Sequence, residues 1–213
     1  LASVLTVPMN SNGQNFTIKE SDQNHISLHF ELGDFHIDTI RHEGELMHAI
    51  TTKGIVAPND YGLPALPTFS RFIAFPQGAK PTVVVRTTRN EHISGINIEP
   101  SIGSQCENDP DLPFYKEPKV YSTNAYYPAE TYLVAEPQQL RGVDVIHLGI
   151  SPFQFNPVSH ELAVHSEIDI EINFNGGNGQ YGDDRLRSPY WDPILRNNIL
   201  NYDCLSLDRK SVV

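Results

Sequence analysis

The chain has 213 residues, enough for one sizeable hydrophobic core, and its 16 Pro and 14 Gly lie among 39% hydrophobic residues. These values are typical of a folded chain with many turns and exclude a disordered one. The 26 acidic residues against 15 basic ones give a net charge of -11. That balance argues against nucleic acid or an anionic membrane surface as a partner, because both need clustered positive charge.

Two further observations limit the kind of protein. No apolar run approaches the roughly 18 residues that cross a bilayer, so we expect no membrane insertion. The first residues, LASVLTVPMNSNG, lack a basic region followed by a long apolar core, so we expect any export signal to have been removed or to lie outside this chain. Cys106 and Cys204 are too few for a disulfide framework or a four-thiolate zinc site. They either pair with each other or are both inert.

Alternating apolar and polar residues predict strands along the whole chain. Residues 25–32, HISLHFEL, place every second side chain on one apolar face, and residues 142–150, GVDVIHLGI, behave likewise. In residues 161–174, the clearest strand, four apolar residues share a face: Ile168, Ile170, Ile172 and Phe174. Turn signals such as FPQG and FNPVSHE separate the runs. Antiparallel strands joined in this way predict an all-β, jelly-roll-like antiparallel β-sandwich.

A helical pattern is confined to the end of the chain. Asp192 can cap a helix with Pro193 at its first position, followed by apolar residues on one face: Ile194, Leu195, Ile199 and Tyr202. The glycine-rich run FNGGNGQYG before it is typical of a tether. We therefore predict a β-sandwich over residues 1–180 and a second part over residues 181–213, made of this tether, a short C-terminal helix and a cleavable tail.

No pattern of residues predicts a catalytic or metal site. His25 and His29 fall on the polar side of one predicted strand, and His160 and His165 have no third ligand nearby in sequence. Cys106 lies in the acidic run CENDPD, which disfavours a thiolate, and the chain has no Gly-x-Ser-x-Gly elbow. We therefore expect no enzyme activity, no cofactor and no metal ion in this chain.

One segment gives information beyond composition: residues 61–85, YGLPALPTFSRFIAFPQGAKPTVVV. Two prolines in it fix an extended lead into an alternating strand. This segment resembles the N-terminal propeptide of the gingipain-type cysteine peptidases, where a Gly-x-Pro-x-Leu-Pro run leads into such a strand pair. Matching motifs follow in the same order: PSIGSQCENDPDLPFY (100–115), YYPAE (126–130), residues 140–172 and ILNYD (199–203). The resemblance runs from about Gly54 to about Asp203, and the first ~50 residues match only in strand character.

The resemblance implies a noncatalytic β-sandwich at the N-terminal end of a caspase-like cysteine peptidase zymogen, secreted or at the cell surface of a bacterium and exported across the outer membrane. Its partner would be the cognate catalytic domain, whose cleft it would shield until removed and whose folding it would assist. In the family, a loop shortly before the aromatic-aromatic-Pro motif fills the pocket for the substrate residue before the scissile bond. By position that inhibitory loop is Ser122, Thr123, Asn124, Ala125, Tyr126 and Tyr127, followed by Pro128.

The loop departs from the family pattern at its centre. Gingipains cut after Arg or Lys and their propeptides offer a basic residue in this loop, whereas this chain has Asn124 and Ala125. Either the cognate peptidase prefers another residue, with Asn124 as the pocket-filler because its amide both donates and accepts, or the role falls to Lys116 or Lys119.

The predicted sites of proteolytic processing also depart from the family pattern. Family propeptides are cut at a basic residue near the position of Gln105 and again at the end of the domain. Because Gln105 is not basic, Arg209 and Lys210 in the tail are the predicted processing site.

Other interpretations of the chain stay open. An extracellular module that binds carbohydrate or a surface partner would use tyrosines as stacking platforms: Tyr121, Tyr126, Tyr127 and Tyr132. The N-terminal domain of a gingipain-like surface sortase would share the architecture but need not be shed. The segment VYSTNAYYPAE could also simply bridge two strands.

Overall fold

The computed structural model describes residues 15–42, 44–53, 60–103, 112–182 and 188–203. Within these residues most of the chain is antiparallel strand. The elements are β1 (Phe16–Ser21), β2 (His25–Glu31), β3 (Phe35–His42), β4 (Glu45–Thr52), β5 (Phe69–Ala74), β6 (Ala79–Ser94), α1 (Pro118–Tyr121), β7 (Tyr132–Val134), β8 (Gln138–Leu140), β9 (Val143–Ile150), β10 (Phe153–Asn156), β11 (Glu161–Gly176) and α2 (Asp192–Asn198).

The first sheet is built around β11, which has neighbours on both sides. Strand β6 pairs with β11 along its whole length, from Ser94 opposite Glu161 to Ala79 opposite Gly176. On the other side β10 pairs with the first part of β11, β2 pairs with the later part, and β1 adds to β2. Burial alternates with period two from Ile168 to Phe174, and a register shift between His165 and Ile168 separates this part of β11 from the part that pairs with β10.

The second sheet is built around β9, which pairs with β5 on one side and with β7 and β8 on the other. Ile146, Leu148 and Ile150 point into the space between the two sheets, where they meet Phe30 and Ile170 from the first sheet. Each fully buried side chain of this kind contributes about 1.5–3 kcal/mol. Two antiparallel sheets facing one core confirm the predicted β-sandwich.

The hairpin β3–β4 covers a second apolar cluster beside the main core. Ile50 of β4 packs there with Phe153 and Phe155 of β10, and with Leu162 of β11. Leu32, which follows β2, packs against both this cluster and the main core. The two clusters therefore adjoin through the chain between β2 and β3.

The predicted C-terminal helix is confirmed as α2, with two differences in detail. The helix begins at Asp192, so Asp192 does not cap it, because the N–H groups of Trp191 and Asp192 both donate to Ser188 O and extend the turn upstream. Leu195, Ile199 and Tyr202 are buried as predicted, but Ile194 is 43% exposed. Ile194 and Leu195 are adjacent, and neighbouring helical residues cannot share one face.

The outer face of β9 explains where α2 packs. Val143 and Val145 of β9 form a third cluster with Leu195, Ile199 and Tyr202. Strand β9 is therefore buried on both faces, although its sequence predicted one apolar face. No helix in the described ranges is long and apolar enough to span a bilayer.

The glycine-rich run lies against the turn between β5 and β6. Gln77 N donates to Gln180 O at 2.9 Å and Asn178 N donates to Gln77 O at 3.1 Å. A Cβ on Gly177 would lie 3.0 Å from Ala79 Cβ and from Gln77 O, and its φ of 90° favours glycine. The predicted division between residues 180 and 181 stays a prediction.

Candidate functional site

The predicted inhibitory loop, Ser122–Tyr127, lies on the surface, and the chain leading to it is fixed by the YGLPALP segment. Glu117 N donates to Gly62 O at 2.9 Å, and the Tyr61 and Tyr115 rings stack with centroids 5.5 Å apart. Gly62 has a φ of 80°, and a Cβ there would lie 2.5 Å from Tyr115 Cδ1. Only glycine allows this approach, so the segment that carries the family resemblance also sets where the loop begins.

The loop follows α1, a single helical turn that the sequence analysis did not predict. Glu117 Oε1 accepts a hydrogen bond from Lys119 N at 3.3 Å, and a proline occupies the first turn. At the other end, Ser122 Oγ donates to Pro118 O at 2.5 Å and Thr123 Oγ1 donates to Lys119 O at 2.6 Å. The Thr123 hydroxyl thus satisfies a carbonyl at the helix end, and the Ser122 hydroxyl adds to the bond that Ser122 N already makes to Pro118 O at 3.0 Å. Ser122 and Thr123 shape the loop from within.

Tyr121 anchors the start of the loop to the second apolar cluster. Its hydroxyl donates to Ile98 O at 3.0 Å, and its ring meets Phe155 edge to face. Burial of this hydroxyl raises the pKa of Tyr121 far above its ordinary value. The ring is therefore a structural anchor and stays neutral.

The end of the loop is anchored to β10 and β11. Tyr127 N donates to Phe155 O at 2.9 Å, and Phe155 N donates to Tyr127 O at 2.8 Å, which is a two-bond antiparallel bridge. The Tyr126 hydroxyl donates to a Glu161 carboxylate oxygen. Desolvation and this hydrogen bond raise the pKa of Tyr126 to about 12, and the bond lowers the pKa of Glu161. The peptide bond from Tyr127 to Pro128 is cis.

Between these anchors the tip of the loop is exposed from Ser122 to Ala125. Ala125 N donates to Thr123 O at 2.9 Å, which makes the tip a tight turn. Asn124 Oδ1 accepts a hydrogen bond from Asn156 Nδ2 at 2.9 Å. The structure therefore gives an exposed turn with a defined shape.

The two lysines offered as alternatives to Asn124 differ in their surroundings. Lys116 Nζ lies 2.7 Å from Glu45 Oε1 and 2.8 Å from Glu45 Oε2, and 5.5 Å from the centre of the Tyr121 ring. Lys119 lies exposed on α1 and makes no ion pair with any residue in the described ranges. Of the two, Lys119 is the lysine that a partner could reach.

The four tyrosines of the carbohydrate-binding alternative do not present open rings. Each is half-buried. Tyr121 and Tyr127 pack against the second cluster, Tyr132 packs against the main core, and Tyr126 is held by Glu161. Sugar-binding platforms need an exposed aromatic face, so this arrangement gives that alternative little support.

Several predicted residues lie outside the described ranges. These are Cys106 and Cys204, the processing candidates Arg209 and Lys210, and Gln105. Within the described part of the chain, no group of three or more His, Cys, Asp or Glu could hold a metal ion.

Sequence reasoning missed the residues that support the loop from β10 and β11. Asn156 contacts a residue 32 positions away, and Glu161 contacts one 35 positions away. FNPVSHE was identified as a turn, which correctly placed both residues at the ends of a hairpin. No local sequence pattern indicated that this hairpin would lie under residues 124–127.

Comparison with known proteins finds relatives of this chain in sequence and in fold. The model of the Propeptide_C25 family matches residues 9–209. The chain is 25% identical to Lys-gingipain of Porphyromonas gingivalis over 180 residues, which is 78% of this chain and 10% of that protein. It is 29% identical to Gingipain R1 of Porphyromonas gingivalis over 123 residues, which is 57% of this chain and 12% of that protein. The chain thus spans about a tenth of the length of these relatives.

Solved structures share the fold. One is the complex of Porphyromonas gingivalis RgpB pro- and mature domains, with a TM-score of 0.77, 19% identity, and coverage of 91% of this chain and 99% of that chain. Another, described as structural insight into zymogenic latency of gingipain K from Porphyromonas gingivalis, has a TM-score of 0.65, 22% identity, and coverage of 80% and 98%. At these identities the likeness establishes the architecture alone.

Proposed function

Since the chain belongs to the Propeptide_C25 family, we propose that it is the prodomain of a gingipain-like cysteine peptidase zymogen and keeps that peptidase latent. Membership in a propeptide family makes the chain a noncatalytic segment. The partner is the catalytic domain of the same zymogen, and the mode of action is occlusion of its cleft by the loop Ser122–Tyr127. The structural likeness to a pro-domain in complex with its mature domain supports this assignment.

The observation that carries the proposal is an exposed turn with both ends fixed. Tyr121 holds one end through Ile98 O, and Tyr127 holds the other through the bridge to Phe155. A loop that is already ordered before binding loses little conformational entropy in the complex. An ordered, exposed turn of this kind suits a narrow cleft.

The pocket-filling residue we propose is Asn124, at the centre of the exposed tip. Its Oδ1 accepts from Asn156 Nδ2, so its Nδ2 group can donate to an acceptor in a polar pocket while that contact is kept. Lys119 is the remaining alternative, because it is exposed whereas Lys116 is paired with Glu45. The two residues imply peptidases of different specificity.

Latency ends when the connection to the peptidase is cut. While prodomain and peptidase share one chain, the effective concentration of the loop at the cleft is in the millimolar range. Cleavage after Arg209 or Lys210 would remove this advantage. We also propose that the domain assists folding of the peptidase and is exported with it, to the cell surface or the medium of a bacterium.

The test is a titration of the cognate catalytic domain, expressed separately, with residues 1–213. Wild type is expected to inhibit at a one-to-one ratio, and the double variant Asn124→Gly, Ala125→Gly is expected to inhibit at least about tenfold more weakly, equal to ~1.4 kcal/mol. Lys119→Ala is assayed in parallel. It is expected to inhibit like wild type if Asn124 fills the pocket, and more weakly if Lys119 does.

A matched control is Ile194→Ala, an exposed apolar residue of α2 on the second sheet. It is expected to inhibit like wild type. Absence of inhibition by wild type would refute the latency proposal, and equal inhibition by wild type and the double variant would refute the role of the loop.

A further inference from the structure

Two of the side-chain hydrogen bonds that reach the loop from below come from one pair of residues, and a third joins His92 Nδ1 to the Tyr126 hydroxyl at 3.3 Å. Asn156 ends β10 and Glu161 begins β11, and the two are opposite each other in the antiparallel ladder. Asn156 contacts Asn124 at the tip, and Glu161 contacts Tyr126. One cross-strand pair thus supports two positions of the loop.

The carboxamide of Asn156 is fixed by the hairpin turn itself. The residue is 8% exposed, and its Oδ1 accepts hydrogen bonds from Val158 N at 3.1 Å and Ser159 N at 3.2 Å. Because the oxygen is committed to two backbone donors, the Nδ2 group must point the other way, toward Asn124 Oδ1. The turn therefore determines where the donor for the loop lies.

Glu161 is held in a similar way by β6. His92 Nδ1 lies 2.5 Å from Glu161 Oε1, and the His92 ring meets the Tyr126 ring edge to face, with centroids 6.2 Å apart. His92 sits on β6 opposite Ala163, two residues along β11 from Glu161. The carboxylate that receives the Tyr126 hydroxyl is thus oriented by a neighbouring strand.

We propose that Asn156 and Glu161 are positioning residues that hold the inhibitory loop in its blocking shape. This inference rests on the proposed function, because it assigns to the pair the preorganisation on which tight binding of the loop depends. Their effect is transmitted through Asn124 and Tyr126, so neither needs to touch the peptidase. A purely structural role would lower the stability of the domain and leave inhibition by the folded protein unchanged.

The experiment compares Glu161→Ala with Glu161→Gln, in which the amide oxygen still accepts a bond from Tyr126. Glu161→Ala is expected to weaken inhibition of the cognate catalytic domain about tenfold, and Glu161→Gln to restore it to within about twofold of wild type. In a Tyr126→Phe background, Glu161→Ala is expected to have no further effect, because the contact is already absent. The same cycle with Asn124→Ala and Asn156→Ala tests the other contact.

A second measurement does not depend on the peptidase. Ala125 N donates to Thr123 O and Thr123 N donates to Val120 O of α1. Hydrogen exchange of these two amides is expected to be at least about tenfold faster in Glu161→Ala than in wild type or Glu161→Gln. Thermal unfolding of each variant shows that it is folded at the assay temperature. If Glu161→Ala does not fold, Tyr126→Phe removes the same bond from the other side and is expected to give the same weakening.

The outcomes separate the two proposals. If wild type does not inhibit, the latency proposal fails, and the exchange rates alone decide whether the pair orders the loop. If the double glycine variant loses inhibition while folded Glu161→Ala and Asn156→Ala inhibit like wild type, latency stands and the positioning role is wrong. Additive losses of inhibition in both double-mutant cycles would also overturn the positioning role.

Discussion

The carboxylates on the outer face of β11 are each matched by donors on the neighbouring strands. Asp169 Oδ1 lies 2.8 Å from Lys19 Nζ and 2.7 Å from His29 Nδ1. Glu171 lies 2.5 Å from His25 Nε2 and accepts from the Ser27 hydroxyl at 2.9 Å. His25 and His29 thus serve as cross-strand partners of carboxylates.

Replacement of Asp169 by Asn tests this matching. Hydrogen bonds from Lys19 and His29 lower the pKa of Asp169 below its ordinary value of 3.8, so folding favours the ionised form. Its contribution to stability is complete above that value and is lost as the pH falls through the lower folded pKa. Since the pair is partly exposed, we expect Asp169→Asn to cost less than about 1 kcal/mol at pH 7.

The measurement is urea unfolding of wild type and Asp169→Asn at pH 7 and at pH values below 3.8. The difference between the two proteins is expected to shrink as the pH falls. Asp38→Asn on β3 is the control, because Asp38 makes no ion pair within the described ranges. A difference for Asp169→Asn that grows toward acid pH would contradict the assignment.

At the scale of elements, the segment after α2 pairs with the edge of β5 that does not face β9, where a further strand would otherwise lie. Leu200 N donates to Phe72 O at 2.9 Å. The Asn201 side chain accepts from Ala74 N at 2.8 Å and donates to Ala74 O at 2.8 Å. The carboxamide therefore satisfies the backbone groups at the end of β5 that would otherwise be a buried open edge.

Asn201→Ala is expected to destabilise the domain by about 1–3 kcal/mol, because it leaves buried backbone groups of Ala74 unpaired. Asn201 is 1% exposed and Ala74 is 0% exposed, so water cannot replace the amide without rearrangement. The control is Asn198→Ala, an exposed residue of α2 that donates to Ile194 O. The measurement is the free energy of unfolding of each variant, from urea titration. Equal losses of stability in the two variants would show that the contact between Asn201 and Ala74 is unimportant.

At the scale of the whole molecule, the three apolar clusters are joined by shared elements. Strand β5 contributes Ile73 to the main core and Ala74 to the cluster under α2, and Leu32 links the main core to the cluster under β3–β4. Because adjacent residues of one strand serve two clusters, loss of one cluster should weaken the next.

We therefore predict one cooperative unfolding transition. Trp191, the single tryptophan of the chain, precedes α2 and lies 3.9 Å from the Arg141 guanidinium, measured to the ring centre. Its fluorescence reports docking of the terminal segment, while far-UV circular dichroism reports the sheets. The two urea curves are expected to coincide. Loss of the fluorescence signal at lower urea would instead support a separate unit after residue 180.

The predicted inhibitory loop, Ser122–Tyr127, shows how far sequence reasoning reached at the candidate site. The motif YYPAE located the loop through the family resemblance, and the exposed turn at Asn124 agrees with a segment available to a partner. The ion pair that occupies Lys116 joins residues 71 positions apart, and no local pattern encodes such a contact. The hydrogen bonds from Asn156 to Asn124 and from Tyr126 to Glu161 were not predicted for the same reason.

The sequence by itself determined the clearest strands, the sandwich class, the terminal helix and the family, because period-two alternation and motif spacing are local properties of the chain. Only the tertiary structure decided that β11 pairs with strands on both sides, that Leu195 covers Val145 on the outer face of β9, and that the β10–β11 hairpin lies beneath the loop. These arrangements depend on which distant segments meet when apolar surface is buried. A single sequence carries no periodic signal for that choice.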